Sequence, residues 1–205
     1  MTPLFVVAQP SHSGSAYTAA LFTAAGIPTG HEAFYGPHGL KRVPRRHLIG
    51  DSSWPAAGYL DNYPGVVYHQ LRHPLRVVRS LAPNALATGQ PGSPFTALRR
   101  RILGDPTGHP MTDLLKFLVV VHELIASRAV RTWQVEQLDA AIIRAVADDH
   151  GLDPGDISAA LAAIPTDVNH HRPVPLDWAA LPAGLWRDRL VQQTIDAGYP
   201  MEATP

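Results

Sequence analysis

The chain has 205 residues, 45% hydrophobic and 17% charged, enough for one domain with a substantial core under a sparsely charged surface. Lys+Arg and Asp+Glu both number 17, so the formal charge is zero and a general nucleic-acid binder or polyanion carrier is disfavoured. Cysteine is absent, which excludes disulfides, thiolate catalysis and cysteine-bound zinc, and mild acid would charge some of the 11 histidines.

Residues 4–8 are a short, β-branched apolar run, read as a strand covered on both faces rather than as a signal peptide. A turn rich in Pro, Ser and Gly follows at 9–15, then strong helix formers at 16–25 with Gly26 as the stop. Residues 28–50 read as a loop, and Asp51-Ser52-Ser53-Trp54 as the cap of a short helix through Leu60. Residues 65–71 (GVVYHQL) read as a second buried strand, followed by a helix entered through Pro74 and running over 75–81.

Residues 83–110 hold many Pro, Gly, Ser and Thr and read as a long loop or lid with a basic piece at Arg99-Arg100-Arg101. Residues 112–128 form the clearest helix, apolar on most faces. A strand is expected at 130–135, and helices at 138–150, 156–164 and 186–197. Strands alternating with helices predict an α/β, three-layer fold with a central parallel sheet flanked by helices, as one domain over 1–205. No stretch approaches the roughly 20 apolar residues that span a bilayer, so a cytoplasmic protein is expected.

The turn after the first strand carries the chemistry. A phosphate group needs several backbone N–H donors converging on it, and a helix N-terminus supplies them with a favourable dipole. Ser11, Ser13, Gly14 and Ser15 are small enough for the backbone to approach an anion, and their hydroxyls add donors. His12 adds a charge when protonated. The GxxxxGK[ST] pattern is missing and the turn has no lysine, which disfavours an ordinary Mg-ATP hydrolase or kinase. The same residues read equally as a serine-rich helix cap without a ligand. At the second strand's end, Arg72 places a fork-shaped cation, and Ser80 a hydroxyl, at the sheet edge where parallel α/β folds bind ligands. Arg76 and Arg79 read as solvated face residues.

Together these elements resemble the PAPS-dependent sulfotransferases, which have a P-loop-like fold. His12-Ser13-Gly14-Ser15-Ala16-Tyr17 is similar to that family's 5′-phosphosulfate turn, and Arg72-His73-Pro74 through Ser80 to its 3′-phosphate element. Gly30-His31-Glu32 resembles a segment of bacterial members, and residues 133–138 a later strand ending in a Glu-Asp-Leu type turn. The chain departs from the pattern at His12, where a Lys or Arg is usual, and at Ala16, where a hydroxyl is usual. No Arg-Lys-Gly loop is found; Arg172, with Asn169 and His170, would take its place.

The resemblance implies PAPS as donor, 3′,5′-ADP as product, no metal, and a small-molecule, glycan or lipid acceptor. Ser11, His12, Ser13, Gly14, Ser15, Ala16, Tyr17, Arg72 and Ser80 would bind the nucleotide. His12 would assist the leaving group, and Glu32, or else His31, would take the acceptor's proton; Glu32 reads equally as a loop carboxylate paired with Arg45 or Arg46. Two rival readings remain: another P-loop group transferase such as a small-molecule kinase, and a sulfotransferase-like binding protein without catalysis. A metal site at His170-His171 lacks regular ligand spacing. Arg42, Arg45, Arg46, Arg99, Arg100 and Arg101 read as a solvated face or as a guide for an anionic acceptor, and Trp178 and Trp186 as core residues.

Overall fold

Four apolar residues with no exposed face form the first strand, β1 (Phe5–Ala8), and each is 0% exposed. In a computed structural model that describes residues 2–41, 47–86, 94–165 and 174–202, this strand is the centre of a five-stranded sheet. The turn after it feeds α1 (Ser15–Ala24), which ends where Gly26 takes φ 84°. There Ile27 N–H bonds Phe22 O at 2.8 Å and Gly26 N–H bonds Thr23 O at 3.1 Å, the paired closure that a left-handed glycine allows.

Next come β2 (Thr29–His31), a hairpin of β3 (Tyr35–Gly36) and β4 (Gly39–Leu40), β5 (Gly50–Ser53) and a 3₁₀ segment (Pro55–Asn62). Then follow β6 (Val66–Leu71), α2 (Pro74–Leu86), α3 (Pro94–Leu103), α4 (Pro110–Ala126) and β7 (Ala129–Gln134). The chain closes with α5 (Ala140–Asp149), α6 (Ile157–Ala163) and α7 (Leu185–Asp196). Asp139 and Asp156 cap α5 and α6 by accepting the N–H groups of Ile142 and Ala159.

The sheet order is β2-β5-β1-β6-β7, every pair parallel. Alternation along the strands divides the interior in two. Phe5 and Val7 pack with Tyr17, Phe22, Ile143 and Val146 under α1 and α5. Val6 and Ala8 face the other way, into a core with Val78, Phe117 and Leu118 under α2 and α4. The result is the expected three-layer α/β fold. No helix among the described residues is long and apolar enough to cross a membrane.

Several sequence expectations need correction. Residues 28–50 are not one loop: they contain β2, the hairpin and the start of β5. Asp51 caps no helix but lies in β5, fully buried. These strands are short and rich in Gly and polar residues, and their burial is imposed from outside. A Cβ at Gly50 would meet the Phe5 ring at 2.1 Å, so the missing side chain lets β5 close on β1. The basic piece at 99–101 lies on α3 rather than in a loop, with Arg99 over the Phe117 ring and Arg101 over the Tyr59 ring. Helix α2 runs on past Pro83, which cannot donate to the Arg79 carbonyl one turn back; Val174 N–H takes that carbonyl instead, at 3.1 Å. Arg79 is correspondingly not a solvated face residue, since its Nε donates to Leu176 O at 2.6 Å. Trp178 and Trp186 are half-buried against the edge of the second core.

Candidate functional site

The site lies where β1, β6 and β2 end, at the C-terminal edge of the sheet. Between β1 and α1 the backbone turns sharply: His12 takes φ 64° and Gly14 φ 89°. His12 in the left-handed region is an uncommon conformation for a residue with a Cβ. Gly14 is required twice over, because a Cβ there would also meet Val135 Cγ2 at 2.9 Å. Gly14 is the cap position of α1 and supplies no side-chain bond to the helix. The first-turn N–H groups of Ser15, Ala16 and Tyr17 therefore open at the helix start, without intrahelical partners.

Gln70 of β6, Arg72 just after that strand and Ser80 of α2 hold this turn. Gln70, fully buried, donates from Nε2 to Ser13 O at 2.8 Å and accepts at Oε1 from Thr18 Oγ1 at 2.5 Å and from Trp133 Nε1 at 3.2 Å. Arg72 Nη1 donates to His12 O at 2.7 Å. Ser80 Oγ lies 2.7 Å from His12 Nδ1. The two separate sequence elements thus meet at His12. Burial draws the Arg72 pKa below the ordinary arginine value, while the nearby Glu136 carboxylate opposes that shift. Glu136 also accepts from Tyr199 Oη at 2.8 Å and from His73 N–H at 3.3 Å, which ties the segment after α7 to the start of α2.

On the other flank, Ser15 Oγ lies 3.0 Å from His31 Nε2, and that nitrogen is 3.7 Å from Glu32 Oε1. Burial, helped by Lys41, pushes the His31 pKa down, so at neutral pH the His31–Glu32 contact joins a neutral imidazole to a carboxyl group and is not an ion pair. Burial raises the Glu32 pKa, and Lys41 acts against it. Lys41 Nζ donates to the Glu32 carbonyl at 2.6 Å. Glu32 itself has φ 48° and donates its N–H to Ser52 O at 3.0 Å. The strained turn is held from beneath by Asp51, whose carboxylate accepts the N–H groups of Ala33, Phe34 and Tyr35 at 2.8, 3.2 and 3.2 Å. Burial lifts the Asp51 pKa to about 6 in spite of those bonds.

The structure therefore brings His12, Ser13, Gly14, Ser15, Arg72, Ser80, His31 and Glu32 to one edge. Ser11 is buried, Ala16 offers only its backbone, and the Tyr17 ring is buried in the first core. Ser13 Oγ, Gln9 Oε1 and Ser53 Oγ are buried without partners among the described residues, at the turn and at the ends of β1 and β5. Arg42, Arg45, Arg46, Asn169, His170, His171 and Arg172 lie outside the described residues. Among the described residues no group of three His, Asp or Glu is placed to hold a metal ion.

Sequence reasoning missed Gln70, Asp51 and Tyr199. Only Gln70 carried a signal, as an amide beside His69 within a mostly apolar strand. No known family matches the chain, and no curated protein matches it, so its chemistry is read from its own residues.

Proposed function

We propose that the protein moves a sulfuryl group from PAPS to a hydroxyl or amine of a small-molecule, glycan or lipid acceptor. One observation carries this reading: Arg72 and Ser80 both contact His12, so a cation and a hydroxyl stand beside an open helix N-terminus. Such an edge suits a nucleotide phosphorylated at two positions, one group on the turn and one at Arg72 and Ser80.

In the proposed step the acceptor oxygen or nitrogen attacks sulfur and forms the new bond to it. The bond from sulfur to the phosphate oxygen breaks, and that electron pair leaves with 3′,5′-ADP. Glu32 takes the acceptor proton, helped by a pKa that burial has raised toward neutrality. His12 donates a hydrogen bond toward the departing oxygen. Positioning and the stabilisation of spread charge supply the rate, as in phosphoryl transfer.

A second reading, binding without catalysis, is favoured by the same His12–Ser80 contact, since an imidazole bonded to a neutral hydroxyl is no permanent cation. Thermal unfolding with 3′,5′-ADP or Mg-ATP tests the nucleotide assignment. A rise in Tm with 3′,5′-ADP and none with Mg-ATP is expected. No response to 3′,5′-ADP overturns both readings, whereas a response without transfer from PAPS to any acceptor leaves only the second.

A further inference from the structure

The β3–β4 hairpin returns one cation to the residue that would take the acceptor's proton. Tyr35 pairs with Leu40 and Gly36 with Gly39, and Lys41 N–H bonds Phe34 O at 2.7 Å, which carries the antiparallel ladder one step past β4. From that position Lys41 Nζ donates to the Glu32 carbonyl at 2.6 Å. The lysine stem lies across Gly36, where a Cβ would meet Lys41 Cε at 2.8 Å. The missing side chain at Gly36 therefore lets the lysine reach back to the turn.

Glu32 needs such a hold. It takes φ 48° although it carries a Cβ, a conformation that persists only where neighbours fix it. Ser52 O accepts its N–H at 3.0 Å and Lys41 holds its carbonyl, so the peptide groups on both sides of its Cα are fixed. The titratable groups around this turn are few. β2 supplies His31, neutral and 3.7 Å from the Glu32 carboxyl group. β5 supplies Asp51, whose carboxylate is occupied by the N–H groups of Ala33, Phe34 and Tyr35. α1 supplies only the neutral Ser15, bonded to His31. Lys41 is the cation whose charge reaches His31, Glu32 and Asp51, and its ammonium forms no ion pair among the described residues.

We propose that Lys41 is a positioning residue for Glu32: through the carbonyl it fixes the turn that carries the carboxyl group, and it sets a permanent positive charge beside that turn. The charge favours the carboxylate, the form able to accept a proton, against the burial that favours the acid. The catalytic meaning of this hold rests on the proposed function; the hold itself does not.

Carbon-detected NMR on the ligand-free full chain follows the Glu32 carboxyl group with pH, Glu32→Gln assigning its signal. In Lys41→Met the midpoint should rise by about half a pH unit, the size expected of one part-exposed charge, and Lys41→Arg should restore it. Strong salt should shrink the difference. Gly36→Ala keeps the lysine but places a methyl where its stem lies, so the midpoint should move the same way; this variant also decides the matter should Lys41→Met not fold. In transfer from PAPS to a phenol, alcohol or amine probe, Lys41→Met should lower kcat several-fold and move its pH limb up with the NMR midpoint. Lys41→Arg should restore both, and 3′,5′-ADP affinity should stay at the wild-type value. A merely structural lysine would lower the rate without moving either midpoint. An unchanged Glu32 midpoint in folded Lys41→Met, or a raised midpoint with the wild-type rate and limb, overturns the proposal. A wild-type chain that transfers nothing from PAPS, yet shows the raised midpoint in Lys41→Met, upholds the hold on Glu32 while the proposed reaction fails.

Discussion

His12 Nδ1 lies 2.7 Å from Ser80 Oγ although 68 positions separate the two residues in sequence. Arg72 reaches the carbonyl of the same histidine at 2.7 Å. The left-handed conformation of His12 is thereby held from Arg72, just after β6, and from Ser80 on α2, as a strained position must be if it is to persist. Arg72 acts as a support of the turn as well as a cation at its edge.

That double duty makes Arg72 irreplaceable by lysine. A guanidinium serves two acceptors in fixed directions, whereas an ammonium is a point charge on a flexible stem. Arg72→Ala should abolish the 3′,5′-ADP-induced rise in Tm, and Arg72→Lys should restore only part of it. Ser80→Ala removes one neutral hydrogen bond and should cost about 1 kcal/mol of binding, several-fold in Kd. Titration calorimetry on the three variants checks the order; equal affinity for Arg72→Ala and wild type would refute the role.

Gln70 should matter for stability more than any residue of the turn itself. Gln70→Leu leaves Ser13 O, Thr18 Oγ1 and Trp133 Nε1 without their buried partner. Each stranded group costs on the order of 1–3 kcal/mol, and partial relaxation should leave a loss of about 3 kcal/mol. Urea unfolding gives the stability change, and nucleotide affinity should fall with it because the turn loses its clamp. A variant within about 0.5 kcal/mol of wild type, the scatter of an ordinary surface substitution, would show that the clamp is dispensable.

What the sequence made legible follows from how local each signal was. Phe5–Ala8 is a continuous apolar run and Val66–Leu71 is apolar but for His69 and Gln70, so their burial is largely written in their own residues. Gly50–Ser53 is a strand only because β1 and Phe5 are there to receive it, Thr29–His31 only because β5 is, and no periodicity of their own marks them. The same distinction holds at the site. Ser13, Gly14 and Arg72 belong to recognisable local patterns. Asp51 acts on residues 33–35 through a fold that must already exist, and its sequence neighbours suggested a helix cap. Pro83 pointed to a loop, because the strand-like bond from Val174 that rescues the Arg79 carbonyl comes from far along the chain.

The buried His69–His122 pair, with His69 Nε2 3.0 Å from His122 Nδ1, sets a pH limit on stability. Burial lowers both pKa values from the ordinary 6.5. Below that value the unfolded chain takes up protons that the folded pair refuses, so stability falls as the pH drops from about 6.5 toward the depressed folded values. Urea midpoints should therefore decrease between pH 7 and pH 5. The double variant His69→Leu, His122→Leu should flatten that slope. The single variant His122→Leu, which strands His69 Nε2, should cost about 1–3 kcal/mol at neutral pH. A slope left unchanged in the double variant would exclude a buried neutral pair, because the opposing Asp51 contribution is the same in both proteins.

Asp51 gives the opposite pH dependence and links it to Glu32. Its folded pKa, about 6, stands above the ordinary 3.8, so its favourable contribution is complete below 3.8 and is lost as the pH rises through about 6. Asp51→Asn should remove this falling limb and make stability rise more steeply with pH, because the histidine pair then acts unopposed. The amide would also turn an N–H₂ group toward the Phe34 and Tyr35 N–H donors that Oδ2 now accepts, and so disturb the turn that carries Glu32. In the proposed reaction Glu32 must be ionised to take a proton, so kcat should rise with pH through a value above the ordinary 4.5. Glu32→Gln should lower kcat by about 10²–10⁴-fold and abolish that limb, with 3′,5′-ADP affinity unchanged. Asp51→Asn should lower kcat while leaving a pH-dependent limb, because the base is displaced and not removed. Should Glu32→Gln retain both the wild-type rate and its pH limb, the proton goes elsewhere, and His31, bonded to Ser15 on the same flank, becomes the residue to replace.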